Sequence, residues 1–323
     1  MLATDQERWE RFFGGRGWHP GAIAARREWL RKIRAENAFA RHLRGVAQQI
    51  GRIVRGFGPH FTEADIRAIG LMLDQYAELI EPWATRVIER LHAEVARRDA
   101  ASWHQLGKQI NRALRQEIAT APAGPVLAEL QASQVELIKS LPLDAAERVH
   151  AAAQEMLTAG RRWGELAGPE GVVRKELEAA AAAPMREYEE KRRQIWGTEE
   201  WVKFKANLIA RTETARVATN LTRVRAEHIG SEGFIWRTVK DRDVRPLHRS
   251  YEGKFFPWND LPILDDGRPG LPGTIWNCRC YPEIVLAGGS REDRILARNP
   301  AYLAGLRARA GEWGLPEEMV PNE

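Results

Sequence analysis

Cysteine is nearly missing from this sequence. Its 323 residues include two cysteines, and both stand in a single Cys-x-Cys step, Cys278 and Cys280. Two neighbouring cysteines in a chain of this length form no disulfide framework, and a bond between them would close a strained, very small ring. The sequence therefore predicts reduced thiols or thiolate ligands that are used locally.

Long apolar runs are missing as well. No stretch approaches the roughly 18–20 apolar residues that span a bilayer, and residues 1–10 are too charged for a signal peptide. We expect a soluble protein that is made in a cytoplasm and does not contact a membrane. The chain also has no Walker loop and no dinucleotide fingerprint, which argues against the enzymes that depend on these motifs.

Strand-type alternation is almost absent before residue 230, where Ala, Leu, Glu and Arg predominate and predict a series of helices. The clearest helix begins with a capping-box pattern at Thr62 and Asp65, and apolar residues then recur three and four apart as far as Leu91. This seam predicts a bundle core, with an intermolecular coiled coil as the alternative. Pro82 lies inside the seam and should kink or interrupt it.

Further helices follow along the chain. One is expected at about 124–140, and another begins at Asp144 as its N-cap and ends near Gly160. Thr198 is expected to cap the next helix, because two glutamates follow it in the first turn, and this helix should run to about Ile229.

The pattern changes from helical to mixed after Gly230. Residues 233–239 alternate as in a strand, and the glycine in residues 251–256 precedes a short apolar run, which predicts a hairpin. Residues 257–272 are so rich in Pro and Gly that they predict an irregular loop, which other contacts must hold in place.

The expected fold is mainly α with a small C-terminal α+β module: an elongated helical bundle followed by a compact knob that contains a β-hairpin. The expected divisions are a basic N-terminal helical arm (1–60), a helical domain (61–230), the α+β module (231–286) and a C-terminal helical tail (287–323).

Positive charge is concentrated near the start of the chain. The formal net charge is +5, yet residues 11–55 alone hold eleven Lys and Arg against two Glu. Such a segment suits an anionic partner, either nucleic acid phosphate or an acidic protein surface, while the alternative is a solvated helix face. The candidate nucleic-acid contacts are Arg26, Arg27, Arg31, Lys32 and Arg34.

The two cysteines follow a histidine and two aspartates by about thirty residues. His248, Cys278 and Cys280 could supply three ligands of a tetrahedral zinc site, with Asp241, Asp243 or water as the fourth. The alternative is a buried hydrogen-bonded cluster in which the cysteines simply pack. Nucleophilic catalysis is disfavoured, because neither cysteine precedes a recognisable helix N-terminus that would lower its pKa.

Three charged residues lie close together on the helix before the module. Glu213 and Arg216 are spaced as an i,i+3 pair on one helix surface, and Arg211 precedes them. They form either an ordinary exposed ion pair of small energetic value or, for Arg211 and Glu213, a support that packs under the module and orients its loop.

Taken in order, these segments resemble the phage Mu F-like minor head protein family, with its SPP1 gp7-type head morphogenesis members. The resemblance covers roughly residues 135–286 and is carried by the segments Ile209–Arg216, Gly233–Trp236, Asp241–His248, Gly253–Phe256 and Trp276–Cys280. The family's motif residues fall on Arg211, Glu213, Arg216, Asp241, Arg245, His248, Gly253, Cys278, Arg279 and Cys280. Of these, His248, Cys278 and Cys280 are the candidate metal ligands, and the others, with the neighbouring Asp243, are structural-motif candidates.

The resemblance implies a minor head protein of a tailed phage or prophage rather than an enzyme. Such a protein is associated with the portal vertex and acts in head morphogenesis and in DNA packaging or ejection. The expected location is the virion, and the expected partners are the portal protein, the major capsid protein and double-stranded DNA. The alternative is a metal-dependent nuclease or hydrolase that acts on phage DNA through His248, an aspartate and the cysteines.

One position departs from the family pattern. Many relatives carry a cysteine pair where this chain has Arg245 and His248. Because Arg245 cannot ligate a metal, three protein positions remain for zinc, which is the one cofactor that the sequence suggests.

Overall fold

The computed structural model describes residues 20–58, 61–107, 118–167, 178–240 and 242–285. Most of this length is helical, and a small antiparallel sheet lies near its C-terminal end, which confirms the expected fold class. None of the described helices combines the length and apolarity that a membrane span needs. Numbered in chain order, the elements are α1 (Pro20–Arg55), α2 (Glu63–Leu79), α3 (Glu81–Gly107), α4 (Gly124–Ala167), α5 (Glu178–Trp196), α6 (Thr198–His228), β1 (Gly233–Arg237), α7 (Pro246–Tyr251), β2 (Phe255–Pro257) and β3 (Tyr281–Val285).

The predicted capping box forms at the start of α2. The hydroxyl of Thr62 accepts a hydrogen bond from the backbone N–H of Asp65 at 3.2 Å, and the Asp65 carboxylate accepts one from the backbone N–H of Thr62 at 2.8 Å. The predicted interruption near Pro82 also forms, since α2 ends at Leu79 and α3 begins at Glu81. Proline is tolerated in the first turn of a helix, where its missing N–H has no partner to lose.

Helix α4 contradicts two predicted helix ends. It runs without a break from Gly124 to Ala167 and passes through Pro142, so the predicted N-cap at Asp144 and the stop at Gly160 are wrong. Its buried residues, Ile138, Leu141, Val149 and Met156, form one continuous apolar face. Burial of this face outweighs the local cost of the proline. Asp144 pairs with Lys205 instead.

The described residues fall into two compact units. The first unit consists of the described residues within Met1–Asn37, Arg90–Leu130 and Arg211–Glu323. The second consists of those within Ala38–Glu89 and Gln131–Ala210. The second unit is all helical, and its fully buried side chains include Leu43, Ile50, Ile69, Leu73, Ile88, Ile138, Leu141, Met156, Ile195 and Ile209.

The sheet belongs to the first unit, and β1 is its central strand. The strand order is β2-β1-β3, and both pairings are antiparallel, with Phe234 opposite Phe256 on one side and Ile284 on the other. The strand predicted after Gly253 therefore pairs with β1 as expected, but the connection contains helix α7 rather than a tight turn alone. Gly253, at φ +79°, donates its N–H to the carbonyl of Trp236 at 2.9 Å and closes this connection.

Candidate functional site

Aromatic side chains form the floor of the candidate site. Trp236 on β1 is fully buried and belongs to a hydrophobic core that also contains Phe234, Phe256, Cys278 and Cys280. The side chains from β1 alternate between the two faces of the sheet, as expected for a strand. The site is therefore built directly on the core of the first unit.

Helix α7 presents His248 to this floor. The helix begins with Pro246, whose fixed φ suits the first helical position. His248 is 2% exposed, and its ring meets the ring of Trp236 edge to face, with 5.1 Å between centroids and 69° between planes. The aromatic contact fixes the orientation of the imidazole.

The two cysteines reach the site on a loop that α6 holds in place. The backbone N–H of Asn277 donates to the hydroxyl of Thr212 at 3.1 Å, and the hydroxyl of Thr219 donates to the carbonyl of Pro272 at 3.0 Å. Gly273 has a φ of +87°, and a Cβ atom there would lie 3.0 Å from the carbonyl oxygen of Cys280. The loop can approach Cys280 this closely because residue 273 is glycine.

The structure brings together the three residues that the sequence singled out for a metal. The Nδ1 atom of His248 lies 3.3 Å from Cys278 Sγ and 3.6 Å from Cys280 Sγ. One potential ligand atom from each residue lies within 4.8 Å of the other two, and all three side chains are buried. Neither cysteine is in a disulfide.

The two thiols have opposite pKa shifts. The pKa of Cys278 is well below its ordinary value, because Cys278 accepts a hydrogen bond from Cys280 and lies beside His248, and these effects outweigh burial. The pKa of Cys280 is raised, because Cys280 donates that hydrogen bond and burial also favours its neutral form. The two shifts together favour negative charge on Cys278 over negative charge on Cys280.

An aspartate that the sequence did not single out lies on the far side of the imidazole. Oδ2 of Asp265 is 3.1 Å from His248 Nε2, at an angle outside that of a regular hydrogen bond, and 3.5 Å from Nε of Arg245. Asp265 belongs to the loop rich in Pro and Gly. Only a weak signal in the sequence could have indicated Asp265. It is an acidic residue in an irregular loop, and such a loop needs contacts that hold it in place.

The charged residues of α6 contact the loop and one another. Glu213 is 1% exposed and accepts from Arg216 at 3.1 Å, so this pair is not an ordinary exposed ion pair. Arg211 donates to the side-chain oxygen of Asn277 at 2.5 Å and to Glu36 on α1 at 3.2 Å. These contacts agree with the interpretation in which α6 orients the loop.

Most of the remaining motif residues lie beside the cluster of His248, Cys278 and Cys280. Arg245 donates to the carbonyl of Trp276 at 2.6 Å, and Arg279 lies 3.5 Å from the carboxylate of the exposed Asp243. Asp241 lies outside the described residues. Gly253 closes the connection between β1 and β2 instead.

A cavity of about 340 Å³ adjoins the cluster. Three guanidinium groups and the carboxylate of Asp243 contribute to its wall, so the lining carries an excess of positive charge. The lining residues are Arg211, Val239, Asp243, Val244, Arg245, His248, Asn277, Cys278, Arg279 and Cys280.

The predicted nucleic-acid contacts lie on α1. The side chains of Arg26, Arg27 and Arg31 are outside the described part of the structure, whereas Lys32 is half-buried and Arg34 is exposed. Ile33 and Ala35, on either side of Arg34, are buried, so Arg34 lies on the outer face of the helix. Of the described side chains, neither Lys32 nor Arg34 belongs to the metal-ligand cluster.

Comparison with known proteins identifies the region that contains the site. Residues 173–282 match the family model described as Phage Mu protein F like protein. This match confirms the resemblance to the Phage Mu F-like family over these residues, and it supports a phage head-related protein.

The chain was also compared with curated proteins and with solved structures. A Haemophilus influenzae protein described as "Uncharacterized protein" is 29% identical over 96 residues, which are 30% of this chain and 20% of the relative. The chain thus spans about a fifth of the length of this relative. No solved structure matches.

Proposed function

We propose that this protein is a minor head protein of a tailed phage or prophage, associated with the portal and active in head morphogenesis and in DNA packaging or delivery. The observation that carries the proposal is the Phage Mu F-like match over residues 173–282. That stretch includes the loop-holding part of α6, the central strand of the sheet and the whole cluster of His248, Cys278 and Cys280.

The contacts of the site support a structural role for this region. Helix α6, helix α7 and the cysteine loop meet around His248, so residues distant in sequence are held together at one buried point. Side chains that are 2–3% exposed have little access to a macromolecular substrate. This arrangement suits a rigid module better than the accessible site that cleavage of DNA requires.

The comparisons give no support to the alternative of a metal-dependent nuclease. A DNA-cleavage assay with added divalent metal, run on the wild type and on His248→Ala, separates the two functions. Cleavage by the wild type that disappears in the variant would favour the nuclease and contradict the structural role.

The proposed location is the virion, in the head interior or at the portal vertex. The proposed protein partners are the portal protein and the major capsid protein. The proposed DNA contact is the basic segment of α1, whose described part includes the exposed Arg34.

Co-purification tests the proposed location. When the full chain is produced together with the portal and capsid proteins of its own phage, we expect it to sediment with portal rings and with assembled heads. The measurement is the amount of chain in each gradient fraction, with a preparation that lacks the portal protein as the control. Absence from both portal rings and heads would overturn the proposal.

Salt-dependent DNA binding tests the basic segment. A cation that contacts a phosphate displaces counterions, so each lost contact should reduce the slope of log affinity against log salt by about 1. The variant replaces five side chains by glutamine, namely Arg26, Arg27, Arg31, Lys32 and Arg34. We expect weaker binding and a shallower slope, measured by fluorescence anisotropy with a duplex of arbitrary sequence.

The control for this experiment should preserve the fold. Deletion of the whole segment would remove Leu43 and Ile50, which are fully buried, so substitution is the sharper test. The matched control replaces exposed arginines elsewhere, Arg67, Arg86 and Arg90, by glutamine. If the control weakens binding as much as the α1 variant does, the basic segment is not the specific contact.

A further inference from the structure

We propose that His248, Cys278 and Cys280 bind one Zn²⁺ ion through Nδ1 and the two Sγ atoms, with Asp265 orienting the histidine from behind and water completing the coordination. The proposal goes beyond the head-protein function and does not depend on it. It rests on the positions of the atoms, on the environment of the imidazole and on the adjoining cavity.

The spacing of the three atoms fits a tetrahedral zinc ion. With Zn–S and Zn–N distances of about 2.3 and 2.0–2.1 Å, tetrahedral angles place a ligand nitrogen about 3.5 Å from a ligand sulfur. The observed separations from His248 Nδ1 are 3.3 Å to Cys278 Sγ and 3.6 Å to Cys280 Sγ. Both nitrogen–sulfur separations are therefore close to those of a tetrahedral zinc site, and the largest separation among the three ligand atoms is within 4.8 Å.

The surroundings of His248 favour the required tautomer. Ligation through Nδ1 needs the proton on Nε2, and metal-bound histidines generally donate that N–H to a carboxylate, a carbonyl or water. Oδ2 of Asp265 lies 3.1 Å from Nε2, within reach of that N–H although the angle is not yet that of a regular hydrogen bond, and Arg245 lies 3.5 Å from the same oxygen. Edge-to-face packing on Trp236 holds the ring in this orientation.

The adjoining cavity supplies space for the fourth ligand. All three proposed ligands line the cavity of about 340 Å³, so a water molecule can reach the ion from this side. Among the described residues, the cluster contains three potential ligands and no fourth histidine, cysteine or carboxylate. Two thiolates neutralise the charge of Zn²⁺, and binding releases their remaining protons to solvent.

Metal analysis of the purified full chain is the first test. We expect about one zinc per chain in the wild type and a loss of most of it in His248→Ala, Cys278→Ser and Cys280→Ser. The matched control is His228→Ala, because His228 is exposed at the end of α6 and outside the cluster. Asp265→Asn should retain the site but weaken zinc affinity about 10–100-fold.

Measurements on the wild type keep the test independent of whether the variants fold. After chelation and titration with Co²⁺, we expect thiolate-to-cobalt charge-transfer bands and the visible bands of tetrahedral cobalt, with saturation near one equivalent. Chelation should also lower the melting temperature and expose both thiols to a thiol reagent. A folded wild type that binds neither zinc nor cobalt, or cysteine variants that keep the metal, would overturn the proposal.

Two further variants test the identity of the fourth ligand. Asp241→Asn and Asp243→Asn should each keep the zinc stoichiometry and the cobalt spectrum of the wild type, and added azide should shift the spectrum of the cobalt protein by replacing water. Loss of zinc in either aspartate variant, or a spectrum insensitive to azide, would contradict the water ligand.

Discussion

Replacing Trp236 by alanine should lower the free energy of unfolding by about 3–5 kcal/mol, the usual cost of deleting a large buried aromatic side chain. Trp236 is fully buried, and its ring contacts the rings of His248, Tyr251 and Phe256 at centroid distances of 5.1–6.2 Å. The alanine variant would leave a cavity beneath His248. Urea denaturation followed by circular dichroism measures the change.

A second tryptophan supplies the control for this substitution. Trp276 has the same side chain but is 45% exposed, so Trp276→Ala should change the free energy of unfolding by about 0.5 kcal/mol or less. Its carbonyl, which accepts from Arg245, remains in the variant. Equal losses at the two positions would show that Trp236 does not carry the core of the module.

Replacing Arg225 by alanine should cost about 3–5 kcal/mol, because it removes the guanidinium that pairs with a buried carboxylate. Arg225 on α6 pairs with Asp99 on α3, whose side chain is completely buried. Asp99 also accepts a hydrogen bond from the hydroxyl of Thr222 at 3.3 Å, and a neutral hydroxyl compensates a buried charge less well than a guanidinium does. Denaturant unfolding at neutral pH measures the loss.

Two further variants show whether burial of the charge is the cause. In Asp99→Leu combined with Arg225→Met, both charges are gone, and stability should return to near the wild-type value. Arg67→Ala removes a side chain that is 71% exposed and lies 3.8 Å from Glu63, so the expected loss is below about 0.5 kcal/mol. A double variant as unstable as Arg225→Ala would contradict this explanation.

Features that depend on neighbouring residues could be predicted from the sequence. The capping box at Thr62, the break before Pro82 and the end of α6 before Gly230 all follow from contacts within one helical turn. The strand at β1 was equally clear, because its alternation of side chains matches a pleated surface. Such signals are local and do not need the tertiary structure.

The errors arose where tertiary packing decides the outcome. The predicted break between a helix at about 124–140 and an N-cap at Asp144 does not include the free energy gained when the apolar face of α4 is buried on both sides of Pro142. Asp265 was missed because its approach to His248 depends on the path of an irregular loop, which residue spacing does not specify. The three proposed ligands were nevertheless named from residue type and clustering alone.

The strand order has a consequence for association through the edges of the sheet. Within the described residues β2 and β3 are the outer strands, and exposed strand edges can recruit strands from other molecules. Here β2 has three residues and ends at Pro257, while β3 contains Pro282. Short strands and missing donor groups make poor templates for strand addition, so these two edges disfavour the pairing of one molecule with another.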